Sequence, residues 1–129
     1  MTNSAISVLL VDDDEMIREC VAAYLDDEGF TVHAAGSGEA GLEKVASLRP
    51  LVCISDMRLP GMNGEEFIVK AHVLSPATAF ILHTGMLYSL SDELCSLGMK
   101  DDDVLLKPIH DLSRLVGKIW NLAASGRAI

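Results

Sequence analysis

Hydrophobic positions along this chain switch back and forth between two periods. Ile6-Ser7-Val8-Leu9-Leu10-Val11 and Leu51-Val52-Cys53-Ile54-Ser55 are short, nearly continuous apolar runs. Such runs, bounded by turn-forming residues, predict parallel strands buried on both faces. Phe30 to Ala35, Ala77 to Thr84 and Val104-Leu105-Leu106 extend the series to five strands. Between them the spacing turns helical. Glu15 to Glu28 carries Ile17, Val21, Tyr24 and Leu25 on one face, and Gly29 closes it. Ser37 caps a second helix running through Leu48, which Pro50 stops. A third is expected from Glu65 to Leu74 and a weaker fourth from about Leu90 to Leu97, ending at Gly98. The fifth, about Leu112 to Ala124, carries Leu112, Leu115, Val116, Ile119 and Trp120. Five strand-helix units with short connections imply a parallel sheet, right-handed crossovers and helices on both faces.

Composition narrows the class. At 129 residues and 50% hydrophobic content, the chain is expected to fold as one globular domain over 1–129, with its core over about 4–124 and no output domain within it. No repeat, low-complexity segment or internal linker interrupts it, and the tail from Ser125 to Ile129 reads as a frayed end or a cut linker. No apolar stretch reaches the ~18 residues of a membrane span. Met1 to Ser7 has neither a basic region nor a signal-peptide core, so a cytoplasmic location is expected. A net charge of -9 argues against direct nucleic-acid binding. Cys20, Cys53 and Cys95 lack metal-ligand spacing, and Cys53, inside an apolar run, reads as a core residue.

Polar groups sit where four strands end. The first strand runs into Asp12-Asp13-Asp14-Glu15, the third into Asp56, the fourth ends on Thr84 and the fifth on Lys107. In open parallel sheets, ligands bind outside the carboxyl ends of the strands. Clustered carboxylates repel one another unless a cation lies among them, and an all-oxygen set suits a hard ion such as Mg2+. Each group also has a role available in phosphoryl transfer. A carboxylate can be the nucleophile, and a hydroxyl and an ammonium can donate to phosphoryl oxygens. Taken singly, the same residues have plain structural readings. The acidic run can cap the first helix, the threonine can be structural and the lysine solvated. Their joint occurrence at four strand ends favours the functional reading.

The segments Val11-Asp12-Asp13-Asp14-Glu15, Asp56-Met57-Arg58-Leu59-Pro60-Gly61-Met62-Asn63-Gly64, Thr84-Gly85 and Leu106-Lys107-Pro108 resemble the receiver domain of two-component response regulators, over about Ser4 to Ala124. The resemblance implies a single-domain, doubly wound, flavodoxin-like α/β fold with strand order 2-1-3-4-5. It implies a phosphoacceptor switch rather than an enzyme. Asp56 would take a phosphoryl group from a histidine kinase or phosphotransfer protein. Asp12, Asp13, Asp56 and the main-chain carbonyl of Arg58 would bind Mg2+. Thr84 and Lys107 would bind the phosphoryl group and relay its presence, and the Lys107-Pro108 bond would be cis. The segment from about Ser89 to Ala124 would face a downstream effector, an output domain or a second copy of the chain.

Two positions depart from the family pattern. Val104 stands three residues before the lysine, where receivers often carry the Tyr or Phe that rotates with the threonine, and Gly85 replaces the usual Ala. A β-branched valine has too little reach to replace a ring, so the coupling is expected to run through the Gly85 to Tyr88 loop. Tyr88 itself reads as an exposed loop residue, His83 as a packed histidine and Asp101-Asp102-Asp103 as a solvated loop. His33, His72 and His110 share no metal-site spacing, and Trp120 reads as packing on the flank of the last helix. Two alternatives stand beside the receiver reading. One is a degenerate receiver acting as a scaffold. The other is a haloacid-dehalogenase-type aspartyl phosphatase, suggested by Asp12-x-Asp14; it needs an acidic pair after the lysine, where only Asp111 is found.

Overall fold

In the computed structural model, residues 6–85, 88–107 and 111–125 are described. The first apolar run becomes β1 (Ser7–Val11), with a helix, α1 (Glu15–Asp27), behind it. The pattern then repeats: β2 (Thr31–Ala35) and α2 (Gly38–Leu48), β3 (Val52–Ser55) and α3 (Gly64–Leu74), β4 (Ala79–Thr84) and α4 (Asp92–Ser96), β5 (Val104–Leu106) and α5 (Ser113–Ser125). All strand pairs are parallel and the sheet order is β2-β1-β3-β4-β5, as expected.

The sheet is buried on both faces. Alternate residues of β1, β3 and β4 point to opposite sides. Val8, Leu10, Val52, Ile54 and Ile81 pack with Val21 and Leu25 of α1 and Leu115, Ile119 and Leu122 of α5. Leu9, Val11, Cys53, Phe80 and Leu82 pack with Val45 of α2, Phe67, Ile68 and Ala71 of α3 and Leu94 of α4. Trp120 is half-buried against the first cluster, on the flank of α5 as expected. Cys53 is a core residue, and burial pushes its thiol well above the usual range.

Element ends shift for local reasons. Pro50 disfavours the α region in the residue before it, and Arg49 ends α2 in the left-handed region at φ 45°. α3 begins one residue earlier than expected because Asn63 and Glu66 form a reciprocal capping box. β4 begins at Ala79 rather than Ala77, since Thr78 is drawn into a buried turn. Its hydroxyl donates to the Pro50 carbonyl at 2.6 Å. α4 shrinks to five residues, capped by Ser91 and followed by Gly98 at φ 99°.

The Asp101–Asp103 stretch corrects a sequence expectation. It forms one 3-10 turn in which Asp103 is completely buried, not solvated. Its carboxylate accepts from the Lys100 backbone N–H at 2.8 Å and pairs with Lys118 of α5 at 2.7 Å. Asp102 stays exposed, with a longer contact to the same ammonium. Three successive residues of a 3-10 turn point in three directions, so only one of them meets α5. Removing one partner of a buried pair strands the other charge. Lys118→Met should therefore cost about 3 kcal/mol in urea unfolding. A loss below about 1 kcal/mol, the range of exposed pairs, would show that the contact is a surface one.

Candidate functional site

The ladder hydrogen bonds carry past the strand ends and fix the site backbone. The Asp12 N–H donates to the Ala35 carbonyl at 3.1 Å and the Asp56 N–H to the Val11 carbonyl at 3.0 Å. The Lys107 N–H donates to the Thr84 carbonyl at 2.8 Å. Asp12, Asp56, Thr84 and Lys107 thus stand at one edge of the sheet. Asp12, Asp56 and Thr84 are buried, whereas Asp13 is exposed.

Lys107 joins the cluster. Its Nζ donates to Asp12 Oδ2 at 2.8 Å and to Asp56 Oδ2 at 2.9 Å. Burial works against the ammonium, but the hydrogen bonds and charges of the two carboxylates outweigh it and hold its pKa above the ordinary lysine value. The remaining oxygen of each carboxylate takes a backbone donor. Asp12 Oδ1 accepts from Asp14 N at 2.9 Å, and Asp56 Oδ1 accepts from Arg58 N at 3.3 Å. The acidic run after β1 therefore divides its work. Asp14 caps α1, accepting from Met16 and Ile17, and leaves Asp12 and Asp13 to the crevice.

One oxygen from each of Asp12, Asp13 and Asp56 lies within 4.8 Å of the others. Ionised, these three carboxylates and the single ammonium leave a net charge of minus two. That balance and the all-oxygen donor set fit a hard divalent cation. The loop past Asp56 puts the Arg58 N–H, not its carbonyl, on the Asp56 carboxylate. An open cleft of about 630 Å3 leads to Asp13, lined also by Met57, Arg58, Leu59, Pro60, Asn63 and Tyr88.

Several contributors were not legible in the sequence. Arg18 reaches back from α1, and its guanidinium donates to the Asp12 carbonyl at 2.7 Å. Gly64 allows α3 to start against the loop. A Cβ there would lie 2.3 Å from the Asp56 carbonyl oxygen, and the Gly64 N–H donates to the Met57 carbonyl at 2.7 Å. Gly within a Pro-Gly loop signals a turn, but not this close approach.

Tyr88 corrects a second expectation. It is half-buried against the α3–α4 side of the core, and its hydroxyl donates to Glu65 Oε1 in the first turn of α3. Burial, with the Glu65 hydrogen bond, raises its pKa. Val104 pairs with Leu82 across the β4–β5 ladder. Among the described residues, a Cβ added at Gly85 would meet nothing nearer than Lys107 Cβ at 4.0 Å. The Lys107-Pro108 bond, His110, Met86, Leu87 and residues 126–129 lie outside the described residues. Asp111 accepts from both the N–H and the hydroxyl of Ser113, which hold its pKa below the usual carboxylate value. It braces the start of α5, which weakens the phosphatase reading.

Comparison with known proteins decides the family. A family model described as the response regulator receiver domain matches residues 8–119. The chain belongs to the response regulator receiver family. The transcriptional regulatory protein AruR of Pseudomonas aeruginosa is 38% identical over 120 residues, which cover 89% of this chain and 48% of AruR. A CheY-like receiver domain from Methanospirillum hungatei superposes with a TM-score of 0.82 at 31% identity, covering 94% of this chain and 95% of that one. TrrA of Thermotoga maritima, solved in complex with Mg2+-BeF, gives a TM-score of 0.78 at 28% identity, covering 91% and 98%. The receiver spans at most about half the length of the curated relatives it matches. Among the described residues no helix is long and apolar enough to cross a membrane.

His83 is packed, as expected, but unusually so. It is 3% exposed, and neither ring nitrogen has a hydrogen-bond partner among the described residues. Burial and then Lys107 push its pKa down to about 4, against smaller opposing effects of Asp12 and Asp56. The unfolded chain therefore binds more protons than the folded one between about pH 6.5 and 4. The contribution is fully present above pH 6.5 and is lost as pH falls through 4. Replacing His83 with Leu should remove an acid-side stability loss on the order of 3 kcal/mol. The check is the difference between wild-type and variant unfolding free energies from pH 7 to 4. Parallel curves would contradict the assignment.

Proposed function

We propose that Asp56 is the phosphoacceptor of this two-component receiver. A carboxylate oxygen attacks phosphorus, an acyl phosphate forms, and the bond to the donor's leaving group breaks. The donor would be a histidine kinase or a phosphotransfer protein. The observation that carries the reading is the bridge from Lys107 to Asp12 and Asp56. It holds a cation against the acceptor carboxylate at the crevice between β1 and β3, where strand order reverses.

Asp12, Asp13, Asp56 and the main-chain carbonyl of Arg58 would hold Mg2+, which neutralises charge on the transferring oxygens. Lys107 pairs with Asp56 before transfer and with the phosphoryl group after it. The Thr84 hydroxyl donates to a phosphoryl oxygen, and its movement is passed through the Gly85 to Tyr88 loop. The β5 surface supports a partner face from α4 to α5: Leu106 is 50% exposed there. That face would meet an effector, an output domain or a second copy of the chain. Three free cysteines suit a reducing cytoplasm. The complete acidic set disfavours the scaffold reading.

Acetyl phosphate with Mg2+ should add one phosphoryl group, detected by intact mass. Asp56→Asn should abolish it, and chelation should prevent it in the wild type. Labelling of Asp56→Asn at the wild-type rate would overturn the assignment.

Mg2+ should also raise the melting temperature. At one hundred times Kd, binding stabilises by about 2.7 kcal/mol. Asp13→Ala should lose most of that gain, because the exposed third carboxylate completes the cluster. A wild-type melting temperature indifferent to millimolar Mg2+ would refute the metal site.

A further inference from the structure

Arg18 spends its charge on a main-chain oxygen. Its Nη1 donates to the Asp12 carbonyl at 2.7 Å, and it forms no ion pair among the described residues. Carboxylates are close by in sequence at Asp13, Asp14, Glu15 and Glu19, in a chain of net charge -9. The reach has a helical cause. The Arg18 N–H donates to the Asp14 carbonyl at 2.9 Å and so closes the first turn of α1. Side chains of a helix lean toward its N-terminus, which brings the half-buried guanidinium back to the end of β1. Gly36, just past β2, leaves the room: a Cβ there would lie 3.2 Å from Nη1 and 3.6 Å from Cζ. The Asp12 carbonyl shares one rigid peptide plane with the Asp13 N–H. Holding it fixes the direction in which the chain leaves β1 toward Asp13. The three clustered carboxylates differ in what else holds them. Asp12 has Asp14 N and Lys107, and Asp56 has Arg58 N and Lys107. Asp13 is exposed, and its carboxylate takes no hydrogen bond among the described residues. Its position depends on the backbone.

We propose that Arg18 is a positioning residue for the divalent-cation site: by pinning the Asp12-Asp13 peptide, it holds the Asp13 carboxylate beside Asp12 and Asp56. The inference rests on the reading of these three carboxylates as Mg2+ ligands. A hydrogen bond from a charged donor is about twice as strong as a neutral one, so the anchor is a firm one. Groups that orient metal ligands carry roughly 10–100-fold in metal affinity. The charge of Arg18 acts the other way. A guanidinium beside an acidic cluster repels Mg2+, so losing the charge alone would tighten binding. Losing the anchor weakens it. The sign of the change therefore separates a positioning role from a purely electrostatic one.

The test titrates Mg2+ into the full chain by calorimetry at pH 7, with urea unfolding of the metal-free proteins alongside. Arg18→Met removes the donor and the charge but keeps an aliphatic stem and a good helix former, so α1 is retained. It should weaken Mg2+ binding about tenfold. Arg18→Lys should recover much of the loss, because the bond is single rather than forked and an ammonium can make it. With acetyl phosphate, Arg18→Met should need about tenfold more Mg2+ for half-maximal labelling of Asp56, yet label at the wild-type rate once Mg2+ saturates. Unchanged or tighter Mg2+ binding by Arg18→Met overturns the proposal, even where the metal-free variant is less stable, since a merely structural role lowers stability without changing the affinity of the folded chain. Wild-type protein that binds no Mg2+ at millimolar concentration refutes the metal site itself and this inference with it. That result is distinct from wild-type binding that Arg18→Met leaves intact.

Discussion

The ammonium of Lys107 is the contact on which the carboxyl edge of this sheet depends. It reaches Asp12 at 2.8 Å and Asp56 at 2.9 Å, and so ties β5 to the ends of β1 and β3. Without it, buried carboxylates would face each other across a crevice with no compensating charge, a situation that costs several kcal/mol. With it the edge is still negative by two. The bridge is therefore not a net source of stability. The stability comes from below, where Leu9, Leu10, Ile54, Ile81 and Leu82 in the sheet and Leu25, Phe67 and Ile119 in the helices are fully buried. Each such side chain contributes about 1.5–3 kcal/mol. A core on both faces of the sheet can hold an edge that is electrostatically unfinished.

An unfinished edge is also a preorganised one. Each of the two buried carboxylates gives one oxygen to a backbone N–H and the other to Lys107. Their positions are set from two directions, by the ladder bonds behind and by these donors in front. Arg18 adds a third constraint on Asp12 by holding its carbonyl. In the proposed phosphotransfer, such preorganisation would hold the Asp56 carboxylate in place without rearrangement of its neighbours. The exposed Asp13 is the exception, and it borders the open cleft.

Most of the architecture was legible because it is written in local periods. Apolar runs marked the strands, helical spacing marked the helices, and the polar residues at four of the five strand ends marked the edge that carries the acidic cluster. The misreadings share one cause, a partner remote in sequence. Nothing near Asp103 distinguishes it from Asp101 and Asp102; Lys118, fifteen positions on, decides which one is buried. Tyr88 looks like a loop residue until Glu65 is brought beside it. Gly64 looks like any turn glycine until the Asp56 carbonyl occupies the space of its missing Cβ. The unmatched nitrogens of His83 are likewise a property of packing, since a strand histidine in sequence carries no sign of what faces it.

β4 ends with Thr84 facing one layer of helices and His83 facing the other. Alternation along a strand makes this unavoidable: adjacent residues cannot share a face. Lys107 is common to both sides, for its ammonium closes the carboxylate cluster while the residue also lines, with His83, Met16 and Ile17, a cavity of about 290 Å3 on the α1 side of the sheet. A change in the charge that Lys107 neutralises alters the field at His83, whose pKa already responds to Lys107, Asp12 and Asp56. The two faces are therefore linked through one side chain at short range. No chain of moving residues across the sheet is required. Val104 supplies no ring to swing, and this electrostatic route needs none.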